Sequence, residues 1–323
     1  MRICLVTPTA SARETGNRTT ARRWARLLRA LGHRVVIRED YHDEPCDLLI
    51  ALHARRSAGA VERFRRAHPE RPLIVALTGT DLYEDLCASS EVKRSLELAT
   101  RIILLQPEGM AELSEPLRAK ARVLYQSAER PRGRIVPLRR VFEVCVIANL
   151  RAVKDPLRAA WAARCLPSAS RIRITHIGAA LEAEWAEAAR AEMAANPRYR
   201  WLGEQPHGRA LRLLARSRLL VLSSRMEGGA NVLSEALAAS VPILATRIPG
   251  SVGILGPEYP GYFPVGDTEA LAALLWRAET DRDFRAALRA HIRRLRPLVS
   301  PARERRGWRA LLEELRAVED AHG

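Results

Sequence analysis

Two glutamates eight positions apart, Glu227 and Glu235, bracket Gly228, Gly229, Ala230 and Asn231 in the stretch EGGANVLSE. The apolar run RLLVLSS precedes this stretch and the helix-forming ALAAS follows it directly. A helix starting near Asn231 puts Glu235 one turn in. Its carboxylate can there accept two hydrogen bonds at once from vicinal hydroxyls, the pattern a ribose presents. The two glycines leave backbone N–H groups open to a phosphate or a sugar, and Glu227 then falls on the far side of a diphosphate. Two surface glutamates around a helix start are the plainer alternative.

A second constellation lies in IANLRAVKDP, where Arg151 and Lys154 flank a turn. Asp155-Pro156 reads as the following helix start, with Asp as N-cap and Pro at the first helical position. Two cations and a helix N-terminus converging on one place suit a diphosphate; a solvated surface pair is the alternative. Three further loops carry polar groups. Gly16, Asn17 and Arg18 open a helix, with Arg22 one turn on, and could admit an anion. His53 follows the run DLLIAL, either as a structural imidazole or as a group at a ligand. Thr78-Gly79-Thr80-Asp81 follows PLIVAL, with Asp81 either an N-cap or a ligand contact.

Such loops need strands to hold them. Short apolar runs at 2–7, 33–37, 47–52, 72–77, 101–105 and 122–125 have the continuous hydrophobicity of buried parallel strands. Between the first two, Trp24, Leu27, Leu28 and Leu31 recur at helical spacing, and Gly32 stops that helix. The segment 131–140 is rich in Pro, Gly and Arg without periodicity and reads as a linker. The strand signal restarts at 141–149, 171–178, 198–203, 218–224 and 241–246. Strands alternating with helices imply right-handed βαβ units, hence an α/β chain of two doubly wound, Rossmann-like domains facing across a cleft. The expected boundaries are 1–130 for the first domain, 131–140 for the linker, 141–300 for the second domain, where a nucleotide would bind at the turns of Lys154 and Glu235, and 301–323 for a helix packing back on the first. Ligands of such sheets sit beyond the carboxyl ends of the strands.

Composition narrows the classes. A length of 323 residues with 47% hydrophobic content fits two domains. No run of about 18 apolar residues occurs, and MRICLVTPTA turns polar too soon for a secretion signal, so a cytoplasmic location is expected. Five scattered cysteines, Cys4, Cys46, Cys87, Cys145 and Cys165, read as buried thiols. The charge of +16 invites nucleic acid as a partner. Yet only three of 53 basic residues are lysines, and the arginines are spread over nearly every helix without a basic tail or aromatic stripe. Nucleic acid is therefore not expected as a ligand. Where Lys is so rare, Lys154 stands out.

E-x7-E between a strand and a helix, followed by A-L-A-A-S-V-P-I-L-A-T, resembles the donor site of GT-B glycosyltransferases of the sucrose-synthase and mannosyltransferase type. The resemblance extends to G-x-x-x-x-A-x-x-W-A-x-x-L…L-G-H-x-V at 16–35 and covers nearly the whole chain. It implies that Glu235 holds the ribose of a UDP-sugar, Glu227 contacts the sugar, and Lys154 with Arg151 neutralises the diphosphate. It also implies backbone and wall contacts from Gly16, Gly228, Gly229, Ala230, Asn231, Trp201 and Leu202, the last two near the uracil. The chain departs from the family at Asn149, where an Arg is usual, at Thr78, where a His is usual, and at Pro249-Gly250. Those departures touch the acceptor side more than the donor side.

Within the family, S-x-x-x-x-G-N-R-x-T-A-x-R-W, A-L-H-A-R-R-S, L-T-G-T-D-L-Y and N-L-R-x-V-K-D-P-L are similar to selenosugar synthases of selenoneine biosynthesis. That resemblance implies selenophosphate as acceptor and UDP-GlcNAc or UDP-glucose as donor, with Asn17, Arg18, His53, Thr78 and Asp81 on the acceptor side. An anionic selenium nucleophile needs positioning by cations more than deprotonation. No metal or other cofactor is expected, and the one D-x-D, Asp281-Arg282-Asp283, reads as a solvated turn. Two rivals stand beside this reading. One is a membrane-surface glycosyltransferase using the apolar stripe Phe284, Leu288, Ile292 and Leu295. The other is a nucleotide-sugar sensor or nucleic-acid binder.

Overall fold

The computed structural model describes residues 1–8, 16–131, 133 and 135–320. The polar loop at 9–15, the linker positions 132 and 134, and residues 321–323 lie outside the described residues. The first half runs β1 (Arg2–Val6), α1 (Gly16–Ala30), β2 (Arg34–Arg38), β3 (Leu48–Leu52), α2 (Ala58–Ala67), β4 (Leu73–Leu77), α3 (Thr80–Tyr83), α4 (Asp85–Ala88), α5 (Ser90–Leu98), β5 (Arg101–Leu104), α6 (Glu115–Lys120) and β6 (Ala121–Val123). The second runs β7 (Phe142–Ile147), α7 (Arg158–Arg164), β8 (Ile172–Ile177), α8 (Ala183–Ala195), β9 (Tyr199–Trp201), α9 (His207–Arg216), β10 (Leu219–Leu222), α10 (Asn231–Ala239), β11 (Ile243–Thr246), α11 (Pro249–Leu255), β12 (Tyr262–Phe263), α12 (Thr268–Thr280), α13 (Arg282–Leu295) and α14 (Pro301–Asp320).

The chain divides into two compact units. The first comprises 1–127, Glu227–Asn231 and the stretch from Ser300; the second comprises 128–226 and 232–299. Each holds one six-stranded sheet, ordered β2-β1-β3-β4-β5-β6 and β12-β11-β10-β7-β8-β9. Every strand pairing is parallel. Both sheets are therefore the doubly wound α/β kind that the alternating pattern implies. The short β12 carries no sequence signal of its own; two residues are too few for a period to show.

Alternation along the strands of the first sheet sorts its core into two faces. Ile3, Leu5, Leu48 and Ile50 pack with Trp24 and Leu28 of α1 and with Trp308, Leu311, Leu312 and Leu315 of α14. Cys4, Val6, Leu49 and Val75 pack on the other face with Tyr41, Phe64 of α2 and Leu96 of α5. Trp24 and Trp308 meet edge to face, ring centres 4.9 Å apart. In the second unit, buried Glu143 on β7 takes both prongs of Arg216 from α9, at 2.8 and 3.0 Å, and the Thr175 hydroxyl. A carboxylate inside a sheet is tolerated only with such partners.

Several expectations change here. Phe284, Leu288 and Ile292 of α13 are buried and Leu295 is partly covered, so the stripe is core rather than a membrane face. Among the described residues no helix is long and apolar enough to cross a membrane. Asp281 of the D-x-D is the N-cap of α13, accepting from the backbone N–H of Asp283 and Phe284. Asp155 is not an N-cap: it takes a left-handed conformation, φ 44°, and α7 starts three residues later at Arg158, whose guanidinium pairs with the Asp155 carboxylate. Cys87 and Cys165 are exposed, because they sit on or beside helices rather than inside strands; Cys4, Cys46 and Cys145 are buried thiols.

Trp24 is fully buried. Trp24→Ala is expected to cost about 3–5 kcal/mol, read as a lower midpoint in urea-induced unfolding.

Candidate functional site

In the second unit, the turn after β7 is a 3₁₀ turn, Ala152–Lys154. It is pinned from the loop after β10: Arg225 N–H donates to Val153 O at 2.9 Å, and the Ser223 hydroxyl donates to the carbonyls of Lys154 and Asp155 at 3.2 and 2.9 Å. The backbone carrying Arg151 and Lys154 is thereby held, although both side chains remain half-exposed. Asn149, where the family resemblance leads one to expect an Arg, accepts from Ala179 N–H at 3.0 Å and ties the β7 loop to the β8 loop.

Glu235 lies one turn into α10 with its carboxylate mostly covered. Its Oε1 is 2.8 Å from Nε2 of His207, the first residue of α9, whose ring is half-exposed. Trp201 ends β9, and its indole N–H donates to Gly178 O at 2.9 Å, leaving the ring and Leu202 half-buried at the strand end. Beneath them His176 is wholly buried. Its Nε2 donates to Ala148 O at 2.9 Å, so its Nδ1 is the acceptor for the Tyr199 hydroxyl at 3.0 Å. Burial pushes this imidazole down to about 4, so it is neutral at physiological pH.

In the first unit, the loops after β3 and β4 are joined by Asp81. This carboxylate is fully buried and accepts the N–H groups of Ala54, Thr78 and Gly79 at 2.9, 2.8 and 2.8 Å. Asp81 is thus neither an N-cap nor open to an acceptor; it shapes the loop on which Thr78 and Thr80 stand half-exposed. His53 is buried with φ +72°, an arrangement costly for a non-glycine residue. Its Nε2 lies 3.1 Å from the Thr80 hydroxyl, and burial lowers its pKa against the opposing pull of Asp81. His53 thus faces the half-exposed Thr80 hydroxyl from inside the fold.

Glu227 is buried, and the two glycines beside it serve a purpose the sequence did not reveal. A β-carbon on Gly228 would lie 2.4 Å from the carbonyl carbon of Thr78 and 2.7 Å from Gly79 N; one on Gly229 would lie 2.5 Å from Cβ of Leu105. The glycines are needed for this close packing. Asn231 commits its side chain to neighbours, donating to Gly16 O at 3.1 Å and accepting from Arg23 at 2.7 Å, so only its backbone is open to a ligand. Asn17 and Arg18 lie half-buried in the first turn of α1. His207, His176, Arg23 and Gln126 are the members that sequence reasoning missed. Their partners are distant in the chain, and no local spacing marks them.

Two outcomes follow. Gly228→Ala forces a β-carbon into backbone, and is expected to cost about 1–3 kcal/mol, seen as a lowered unfolding midpoint. His176 titrates near 6.5 when unfolded and near 4 when folded, so the unfolded chain binds more protons between those values. Its contribution, about 3 kcal/mol at most, is complete above pH 6.5 and is lost as pH falls toward 4. Urea titrations across that window should show a slope that His176→Gln abolishes.

Residues 138–295 match the family described as Glycosyl transferases group 1. No curated protein matches the chain by sequence. Among solved structures, sucrose-phosphate synthase from Thermosynechococcus elongatus superposes with a TM-score of 0.78 at 15% identity, covering 98% of this chain and 99% of that one. HepE of Anabaena in complex with UDP-glucose gives 0.77 at 15% identity, covering 97% and 100%. An E. coli structure described as trehalose-6-phosphate bound with UDP-2-fluoro glucose gives 0.72 at 12% identity, covering 98% and 99%. The chain has the GT-B fold of these structures, and its residues 138–295 match the glycosyl transferases group 1 family.

Proposed function

We propose that this protein is a glycosyltransferase that takes a hexosyl group, GlcNAc or glucose, from a UDP-sugar. One observation carries the reading: within the matched domain, Glu235 stands one turn into α10 while Lys154 and Arg151 stand on the pinned turn after β7. Support comes also from the structural neighbours described with UDP-glucose and UDP-2-fluoro glucose.

In this reading the ribose diol takes the place of His207 on the Glu235 carboxylate, which is already aimed and nearly dry. Trp201 and Leu202 flank the base. Lys154 and Arg151 meet the diphosphate, whose negative charge grows as the bond from its oxygen to the sugar's C1 breaks. Those two cations and backbone N–H groups of the 228–231 turn stabilise the leaving group, so the reaction is proposed to need no metal. Glu227 contacts the sugar.

For the acceptor we propose selenophosphate, on the resemblance of the loops around Asn17, His53 and Thr78. Its selenium forms a bond to C1 as UDP departs. A nucleophile that is already anionic needs no base, which agrees with a His53 that is buried and held below its usual pKa. The chemistry is that of a cytoplasmic enzyme acting on small molecules.

Incubation with UDP-GlcNAc or UDP-glucose and selenophosphate should release UDP in proportion to acceptor; no sugar-dependent UDP with either donor would count against the reading. Lys154→Ala is expected to slow turnover by roughly 10²- to 10³-fold, the usual loss for one leaving-group contact, measured as kcat. Glu235→Ala should remove most UDP affinity in calorimetry, and unchanged affinity would sink the donor assignment.

A further inference from the structure

The Glu227–Asn231 turn is gripped from behind by side chains that the donor reading does not use. Gln126, buried just after β6, donates from Nε2 to Gly229 O at 2.5 Å. Its Oε1 accepts from the Thr20 hydroxyl at 2.6 Å and from the Arg23 guanidinium. Arg23 also donates to Asn231 Oδ1 at 2.7 Å, and through Nε to both oxygens of Glu304 at 3.3 and 3.2 Å. Glu304 on α14 is fully buried and further accepts from Trp24 Nε1 at 2.8 Å and Ser127 N–H at 2.9 Å.

An arginine side chain can only donate. Facing Arg23, the amides of Gln126 and Asn231 must both turn their oxygens toward it. Their NH₂ groups must then point away, and they do so onto two carbonyls, Gly229 O and Gly16 O. One guanidinium thus sets the polarity of both amides. A peptide plane is rigid, with its C=O and N–H on opposite sides. Holding Gly229 O on Gln126 therefore turns the Ala230 N–H to the opposite side of the turn, at the threshold of α10. Buried Glu304 supplies the counter-charge that lets Arg23 sit in the interior.

We infer that Arg23 and Gln126 are positioning residues for donor binding: they orient the Gly229–Asn231 backbone that meets the sugar nucleotide, without touching it. The inference rests on the donor reading given above. Gln126→Glu keeps the shape and the bonds from Arg23 and Thr20 but cannot donate to Gly229 O. Arg23→Lys keeps the charge but lacks the fork that spans two amides and a carboxylate.

The test is UDP titration by calorimetry with the unsubstituted chain, Gln126→Glu, Arg23→Lys and Leu28→Ala, each with its urea unfolding midpoint. Leu28→Ala opens a cavity in the same unit, away from the turn, and reports what a loss of stability alone does. Both clamp variants are expected to weaken UDP binding roughly tenfold, with Leu28→Ala binding as the unsubstituted chain does. Clamp variants that bind UDP no worse than Leu28→Ala overturn the inference while leaving the donor reading intact. An unsubstituted chain without affinity for UDP overturns both.

Discussion

Every strand among the described residues runs parallel to its neighbours, and the rest of the architecture follows from that constraint. A parallel ladder cannot be closed by a hairpin, so each strand must be followed by a crossover, here usually a helix, that covers a face of the sheet. Strand interiors are then apolar on both sides. A carboxylate inside such a sheet needs partners, as Glu143 has in Arg216 and Thr175. Most chemistry-bearing residues are left to the strand ends, and there they gather: His53, Thr78, Thr80 and Glu227 in one unit, Arg151, Lys154 and Trp201 in the other, with Glu235 just inside α10.

The loops so placed are not loose. Asp81 staples two of them through three backbone N–H groups, Ser223 and Arg225 pin the turn that bears Lys154, and His176 links the ends of β7, β8 and β9. Asp81, Ser223 and His176 are buried, Arg225 acts through its backbone N–H, and the partners are mainly backbone. That economy leaves half-exposed side chains on a fixed backbone, which is what binding a polar ligand in one orientation requires. The glycines at 228 and 229 belong to the same scheme, since only a residue without a β-carbon lets the turn lie against Thr78 and Leu105.

Much of this was legible in the sequence. The eleven longer strands, the helix of Trp24 and the start of α10 at Asn231 announce themselves through apolar runs and helical spacing, because burial on both faces leaves a continuous hydrophobic signature. The α/β class with two doubly wound sheets follows from their alternation, and the motif E-x7-E lies within residues 138–295, which match the glycosyl transferases group 1 family. Signals that failed did so for local reasons. Asp155-Pro156 has the composition of a helix start, but Asp155 adopts a left-handed turn and holds Arg158 instead. The stripe of α13 has the amphipathic pattern common to membrane-surface and core helices, and its buried residues make it core. Asp81 has the local signature of a cap or a ligand contact, since nothing in T-G-T-D reveals that Ala54, 27 positions earlier, shares the carboxylate.

What the sequence determined by itself was the order and kind of elements and the residue types standing after each strand, since those depend on hydrophobic periodicity and turn chemistry over a few neighbours. What tertiary structure alone decided was which of those polar groups remain open and which are consumed in holding the others. Arg23, Gln126, Asn231 and Glu304 come from parts of the chain up to 281 residues apart, and only folding brings them within hydrogen-bonding distance. No spacing along a chain encodes such a meeting, because a hydrogen bond depends on distance and angle in space rather than on separation in sequence.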